Sequence, residues 1–206
     1  MGKAVVVVVA VPGAGKTTIL KKLKEIMPSI SVINFGDLML EEASKIFGLM
    51  DRDEMRKKIV LEDYRNLQLR AAETIASRDD EAVVVDTHAA ISTPYGYYPG
   101  LPPEVVRTLS VDLIVVLEFR PEDILARRER DRESVRKREL DSIEKIEEHQ
   151  NVSRMFAIAA ANEAKCHLKL LRYYHPQEYP FQHAIEGAKE IANLVRYVLQ
   201  QKGIAT

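Results

Sequence analysis

A single cysteine, a near-zero net charge and the lack of any long apolar run set the first limits on this 206-residue chain. With Cys166 alone, no internal disulfide and no cysteine-ligated zinc site can form, which is typical of a reducing compartment. The longest apolar run is far shorter than the ~20 residues that span a bilayer. Lys and Arg total 30 against 31 Asp and Glu, so no global positive charge favours nucleic acid. We therefore expect a cytoplasmic protein that binds neither membrane nor nucleic acid.

The most informative stretch follows the apolar residues 4–11 and precedes a helical pattern over residues 19–27. It reads Ala10, Val11, Pro12, Gly13, Ala14, Gly15, Lys16, Thr17, Thr18. Gly13 and Gly15 permit backbone angles that turn several N–H groups toward one anion, and the helix adds its positive end. We expect an exposed Lys16 to reach the β- and γ-phosphates of a nucleoside triphosphate, and Thr17 to hold Mg²⁺. All nine residues are therefore candidates for nucleotide binding.

This phosphate-loop pattern calls for glycine at its first position, where the chain has Ala10. One extra methyl group must therefore be accommodated. The alternative interpretation is a turn of small residues before an ordinary helix. It explains the glycines, but not the lysine and two threonines that follow them in this register.

Five short runs rich in β-branched residues predict strands, and helical patterns separate them. The runs are residues 4–11, 31–35, 82–86, 112–119 and 167–173. Alternation of strand and helix favours right-handed crossovers and a doubly wound, five-stranded parallel sheet with helices on both faces, as in P-loop NTPases. We expect one domain over residues 1–206, with its site at the carboxyl ends of the strands.

Asp86 ends the third predicted strand, where a carboxylate beside a phosphate loop holds Mg²⁺ directly or through water. The alternative role for Asp86 is a helix cap. Residues 93–103 form a tyrosine-bearing loop stiffened by prolines, which is either a plain connection or a surface on which a ligand packs.

An arginine-rich segment over about residues 127–139 follows the fourth strand. It contains Arg127, Arg128, Arg130, Arg132, Arg136 and Arg138, with acidic residues between them. The segment is either a solvated helix laced with salt bridges or a flap whose guanidinium groups meet phosphate oxygens. Long helices are predicted over residues 140–165 and 183–202, and His149 and His167 are interpreted as structural.

Six motifs taken together resemble the archaeal adenylate kinases over nearly the whole chain. They are the phosphate loop, residues 34–37, 51–57, 86–88, 93–102 and 146–150. The resemblance implies reversible, Mg²⁺-dependent transfer from ATP to AMP, giving two ADP, in a cytoplasmic homotrimer. The chain departs from the family pattern at Ala10 and at Ser92, where a basic residue commonly precedes Thr-Pro. The second departure leaves less charge compensation for the acceptor phosphate.

The resemblance also suggests roles for residues outside the phosphate loop. The helical insert over about residues 36–78 would bind the acceptor, with Gly36, Asp37, Arg56, Thr87 and His88 orienting it. The flap residues Arg128, Arg132, Arg136 and Arg138 would join Lys16 in catalysis, while Thr17 and Asp86 position Mg²⁺.

Two other functions remain open at this stage. One is a kinase for another nucleoside monophosphate or a small metabolite, which would share the fold and the donor site. The other is a P-loop nucleotide switch that hydrolyses slowly. Against the switch, the chain lacks the Asn/Thr-Lys-x-Asp guanine signature and has an insert where an acceptor would bind.

Overall fold

A five-stranded parallel sheet forms the centre of the computed structural model, which describes residues 2–48, 51, 55, 59–132 and 142–204. Its strands are β1 (Ala4–Val9), β2 (Ser31–Asn34), β3 (Ala82–Thr87), β6 (Leu113–Phe119) and β7 (His167–Tyr173). They pair in the order β2-β3-β1-β6-β7. Two further strands, β4 (Ala90–Thr93) and β5 (Gly96–Pro99), form a separate antiparallel hairpin.

Seven helices connect these strands within the described residues. They are α1 (Lys16–Ile26), α2 (Phe35–Phe47), α3 (Leu61–Ala76), α4 (Pro103–Leu109), α5 (Pro121–Arg132), α6 (Ile143–Ala164) and α7 (Gln182–Gln201). None of the helices in these ranges is both long and apolar enough to cross a bilayer.

Two hydrophobic cores lie on opposite faces of the sheet. The even-numbered residues of β1, such as Val6 and Val8, pack with α1 and α7. The odd-numbered residues, such as Val5 and Val7, pack with α2, α3, α4 and α6. All six residues of β1 are buried, as expected for a central strand covered on both faces. The expectation of a doubly wound parallel sheet is confirmed.

The structure differs from the sequence expectations mainly after β3. Residues 93–103, expected to be a loop, supply part of the β4–β5 hairpin, in which Ala90 pairs with Pro99 and Thr93 with Gly96. Elsewhere the differences are in boundaries. Strand β1 ends at Val9, two residues early, because Ala10 already belongs to the loop. Helix α1 begins at Lys16, three residues before the apolar periodicity that predicted it.

Candidate active site

The phosphate loop leaves the carboxyl end of β1 and enters α1 through two left-handed glycines. Gly13 has φ of +81° and Gly15 has φ of +90°, a region that residues with a Cβ seldom adopt. Gly15 is also the residue before the first turn of α1. The loop therefore brings its backbone and the positive end of a helix to one point, at the centre of the sheet's carboxyl edge. The methyl group of Ala10 is buried there.

Lys16 is buried, contrary to the expectation of an exposed side chain. It is 8% exposed. Its Nζ forms an ion pair with the Asp86 carboxylate and donates a hydrogen bond to the Thr87 carbonyl. The reason is the register of β1 against β3, in which Val8 lies beside Asp86 and Val9 beside Thr87. The Lys16 side chain therefore folds back over the carboxyl end of β3 instead of extending into solvent.

Asn34 joins this cluster although sequence reasoning gave it no role. It ends β2 and lies opposite Asp86 in the parallel register. Its Nδ2 donates to Asp86 Oδ2 at 2.8 Å, and its Oδ1 accepts the Asp37 N–H at 3.1 Å, capping α2. Asn34 therefore fixes the carboxylate and the start of α2 together. The sequence signal was a polar residue at a strand end, but it did not reveal that β2 and β3 are neighbours.

His88 ties the hairpin to the phosphate loop. Its Nδ1 lies within hydrogen-bonding distance of the Ala10 carbonyl. Behind it, Gly100 donates its N–H to the Ala89 carbonyl at 2.8 Å. A Cβ on Gly100 would lie 1.8 Å from the His88 carbonyl oxygen, so only glycine allows this close approach. The hairpin is thus seated directly against the residues that follow β3.

Two arginines of α5 contact the phosphate loop. Arg128 is 7% exposed and donates both Nε and Nη2 to the Pro12 carbonyl, at 2.9 and 2.6 Å. Arg127 donates Nη1 to the Ala14 carbonyl at 2.8 Å, and burial lowers its pKa. Its guanidinium lies 4.9 Å from the centre of the Phe119 ring. Arg127 was noted in the sequence as part of the arginine run but was not assigned to the site.

Aromatic rings line the neighbouring ends of β6 and β7. Phe119 stacks on Tyr173 with 5.2 Å between ring centres, and both rings approach His183 of α7, at 6.0 and 5.5 Å. The His175 ring meets His183 edge-on at 4.7 Å. Burial raises the pKa of Tyr173 and lowers the pKa of His183. This ring cluster, made of Phe119, Tyr173, His175 and His183, lies beside Arg127 and was missed in the sequence because its members are scattered along the chain.

The residues near the loop offer oxygen ligands for Mg²⁺, but no complete protein cage. Within the described ranges, no group of three or more His, Cys, Asp or Glu residues could hold a metal ion. Asp86 presents a carboxylate at the end of β3, and Thr17 is an exposed hydroxyl in the first turn of α1. Magnesium sites in phosphoryl-transfer enzymes have this composition, since one or two protein oxygens act together with phosphates and water. The donor set thus fits Mg²⁺.

The structure describes some of the other predicted site residues, while the rest lie outside the described ranges. Thr87 ends β3, and Gly36 and Asp37 lie in the first turn of α2, next to Asn34. Ser92 is exposed on β4. Arg56, Arg136 and Arg138 lie outside the described residues, as does the side chain of Arg132 at the end of α5.

The tyrosines of the hairpin pack against the protein. Tyr98 meets Tyr64 edge-on at 5.5 Å, and Tyr97 lies 5.0 Å from the ring of His149. His149 in turn contacts the Ala90 carbonyl at 3.0 Å through Nε2. Tyr95, at the tip, is fully exposed. Tyr97 and Tyr98 therefore fix the hairpin to α6 and α3.

Comparisons with known proteins agree on the type of fold and on the family. A family model described as an AAA domain matches residues 9–147. The chain is 47% identical over 191 residues to an adenylate kinase from Pyrobaculum aerophilum, covering 92% of this chain and 95% of the relative. It is 44% identical over 169 residues to an adenylate kinase from Pyrococcus furiosus, covering 81% and 85% of the two chains.

Solved structures with little sequence identity share the fold. A shikimate kinase from Acinetobacter baumannii, solved in complex with shikimate, aligns with a TM-score of 0.59 at 16% identity, covering 95% of this chain and 94% of the other. A shikimate kinase from Bacteroides thetaiotaomicron aligns with a TM-score of 0.55 at 13% identity, covering 94% and 98%. At such identities the likeness concerns the fold alone, and it agrees with the P-loop architecture expected from the sequence.

Proposed function

This chain belongs to the archaeal adenylate kinase family, and we propose that it catalyses reversible, Mg²⁺-dependent phosphoryl transfer from ATP to AMP, giving two ADP. The observation that carries the proposal is the meeting of the phosphate loop, Lys16 and Asp86 at one point of the sheet's carboxyl edge. A loop of backbone donors, a lysine and a carboxylate are the parts that phosphoryl transfer requires.

The donor phosphates would be held by residues 10–18, with Lys16 contacting the β- and γ-phosphates. Because phosphoryl transfer needs little covalent chemistry from the protein, positioning and electrostatic stabilisation carry the rate. Arg128 and Arg127 already contact the loop carbonyls of Pro12 and Ala14, within reach of an anion bound there. We propose Arg128 as the flap residue that neutralises developing charge, joined by Arg132, Arg136 and Arg138.

Thr17 and Asp86 would hold Mg²⁺ together with phosphate oxygens and water. Bound there, Mg²⁺ would supply compensation for the negative charge of the phosphate oxygens. The hydrogen bond from Asn34 holds one oxygen of the Asp86 carboxylate in place for this role. If Lys16 turned toward bound phosphates, it would release the Asp86 oxygen that it contacts in this structure.

The acceptor would bind on the α2 side of the cleft. Gly36 and Asp37 lie in the first turn of α2, close to Asn34, while Thr87 and His88 follow Asp86 at the neighbouring strand end. These four residues therefore flank the position that the donor's γ-phosphate would occupy. We propose that they orient AMP with Arg56, and that residues 1–206 act as one kinase domain with an acceptor insert at about 36–78.

A phosphotransfer assay tests the proposed function. ATP is offered with AMP, CMP, UMP and GMP separately, and without any acceptor as a control. Transfer to AMP alone is expected. Efficient transfer to another monophosphate would assign a different acceptor, and rapid hydrolysis without acceptor would favour a nucleotide switch.

Asp86→Asn is expected to weaken the dependence of activity on Mg²⁺. A neutral amide holds a metal-bound water less well than a carboxylate, so the Mg²⁺ concentration for half-maximal rate should rise about tenfold. The measurement is a Mg²⁺ titration of transfer at fixed nucleotide concentrations. An unchanged titration curve would leave Asp86 as a partner of Lys16 and Asn34 only.

We also propose a cytoplasmic homotrimer, as the family resemblance implies. In support, α6 exposes large apolar side chains, among them Met155 at 66% and Ile158 at 49%. Exposed apolar residues on one helix are suited to contact with another subunit. Light scattering coupled to size exclusion would give the mass of the assembly, and a mass of one chain would contradict the proposal.

A further inference from the structure

We propose that His183 selects the base of the phosphoryl donor, because its Nδ1 accepts a hydrogen bond from the 6-amino group of adenine. This inference rests on the proposed function only in requiring a nucleoside triphosphate at the phosphate loop. It assigns a chemical role to a buried histidine of the ring cluster. A carbonyl at position 6, as in guanine, would instead face the Nδ1 lone pair.

The tautomer of His183 follows from its partner. The Nε2 atom lies 3.0 Å from the His175 carbonyl oxygen. Because a carbonyl only accepts, Nε2 must carry the proton, and in a neutral imidazole Nδ1 is then a bare acceptor. Burial lowers the pKa of His183, and His175 and Arg127 also lower it. The hydrogen bond to the His175 carbonyl and the charge of Glu186 oppose this shift without reversing it.

The Nδ1 acceptor is buried and has no hydrogen-bond partner among the residues that the structure describes. His183 itself is only 2% exposed. Buried polar atoms are nearly always paired, since an unpaired acceptor has lost water without compensation. An amino group brought in by a ligand would supply the missing donor.

His183 is connected to the phosphate loop through two neighbouring side chains. Its ring lies beside Phe119, which is covered by the Arg127 guanidinium, and Arg127 donates to the Ala14 carbonyl of the phosphate loop. One arginine side chain thus links the loop to the ring cluster. The cluster lies at the carboxyl ends of β6 and β7, the edge where parallel sheets bind ligands. A triphosphate seated on the loop can extend its nucleoside toward this cluster.

Two substitutions test the roles of the two ring nitrogens of His183 separately. In His183→Gln, the side-chain amide can replace Nε2–H and keep the bond to the His175 carbonyl, but no acceptor remains at Nδ1. In His183→Asn, the amide oxygen takes the place of Nδ1, while the bond to His175 is lost. The probes are ATP and purine riboside 5′-triphosphate, which lacks only the 6-amino group. Dissociation constants are measured by calorimetry with Mg²⁺ and without an acceptor.

We expect the parent and His183→Asn to bind ATP about tenfold more tightly than the analogue, and His183→Gln to bind the two equally. An equal affinity in the parent, or a preference retained in His183→Gln, would overturn the proposal. Loss of the preference in His183→Asn but not in His183→Gln would show that the bond to His175 matters instead. Because no acceptor is present, these results stand apart from any failure to phosphorylate AMP.

Discussion

Lys16→Met is expected to lower kcat/KM for phosphoryl transfer by about 1000-fold, or ~4 kcal/mol of transition-state stabilisation. The substitution keeps most of the length of the unbranched side chain and removes its charge. Lys16 is the cation at the mouth of the phosphate loop, in the first turn of α1. Since charge on the transferring group must be neutralised during the reaction, a neutral side chain cannot replace it. The measurement is steady-state transfer from ATP to AMP.

The same substitution is also expected to destabilise the protein, because Lys16 and Asp86 form a buried ion pair. Removing the lysine leaves the carboxylate buried without a cation beside it, although Asn34 still donates a hydrogen bond to it. Breaking a buried pair from one side costs roughly 3 kcal/mol. Denaturant unfolding of Lys16→Met should show a loss of that order.

A double variant separates the two effects. In Lys16→Met/Asp86→Asn, both charges are gone, so most of the lost stability should return while activity stays at the level of Lys16→Met or lower. This pattern would assign the stability loss to an uncompensated carboxylate and the activity loss to the phosphate site. Activity of Lys16→Met within tenfold of the parent, in a folded protein, would contradict the role of the loop.

The phosphate loop was predictable from the sequence because its determinants are local. Gly13, Gly15 and Lys16 are separated by at most three positions, and their effect depends on a strand before them and a helix after them. The five strands were also predictable, since strands covered on both faces require continuous apolar runs. These local patterns sufficed to predict the fold class and the position of the phosphate loop.

Contacts that depend on strand order were not predictable. Asn34 meets Asp86 only because β2 and β3 are neighbours in register. Lys16 is buried because β1 lies beside β3, which places Thr87 and Asp86 above the start of α1. The hairpin was missed because its strands have four residues each, and because the partners of its tyrosine rings, Tyr64 and His149, lie far away in the sequence. In each case the contact depends on two segments that are far apart in the sequence.

The ring cluster illustrates the same limit. Phe119, Tyr173 and His183 come from two strands and a helix, and the sequence gives no spacing that connects them. Arg127 was visible only as one member of an arginine run. Arg130, in the same run, is exposed and donates to the Ala126 carbonyl of its own helix. Only the packing of α5 on the phosphate loop shows that the two arginines differ.

Arg128→Leu is expected to lower kcat/KM for ATP by about 100-fold, or ~3 kcal/mol. Arg128 is the most buried arginine of α5 within the described side chains, and its forked donors point at Pro12 of the phosphate loop. A guanidinium held there can transfer its hydrogen bonds from a carbonyl to phosphate oxygens with little movement. Arg128→Lys keeps the charge but loses the fork, so an intermediate loss is expected. Rates are measured with ATP varied at saturating AMP.

A matched control is Arg107→Leu, which removes an arginine at the other end of the sheet. Arg107 is exposed and pairs with Glu163. Such a surface pair contributes at most ~1 kcal/mol to stability, so kcat/KM should stay within threefold of the parent. Thermal unfolding of all three variants distinguishes damage to the fold from damage to the reaction. If Arg128→Leu lowered the melting temperature but left kcat/KM within threefold of the parent, Arg128 would support the shape of the phosphate loop and take no part in transfer.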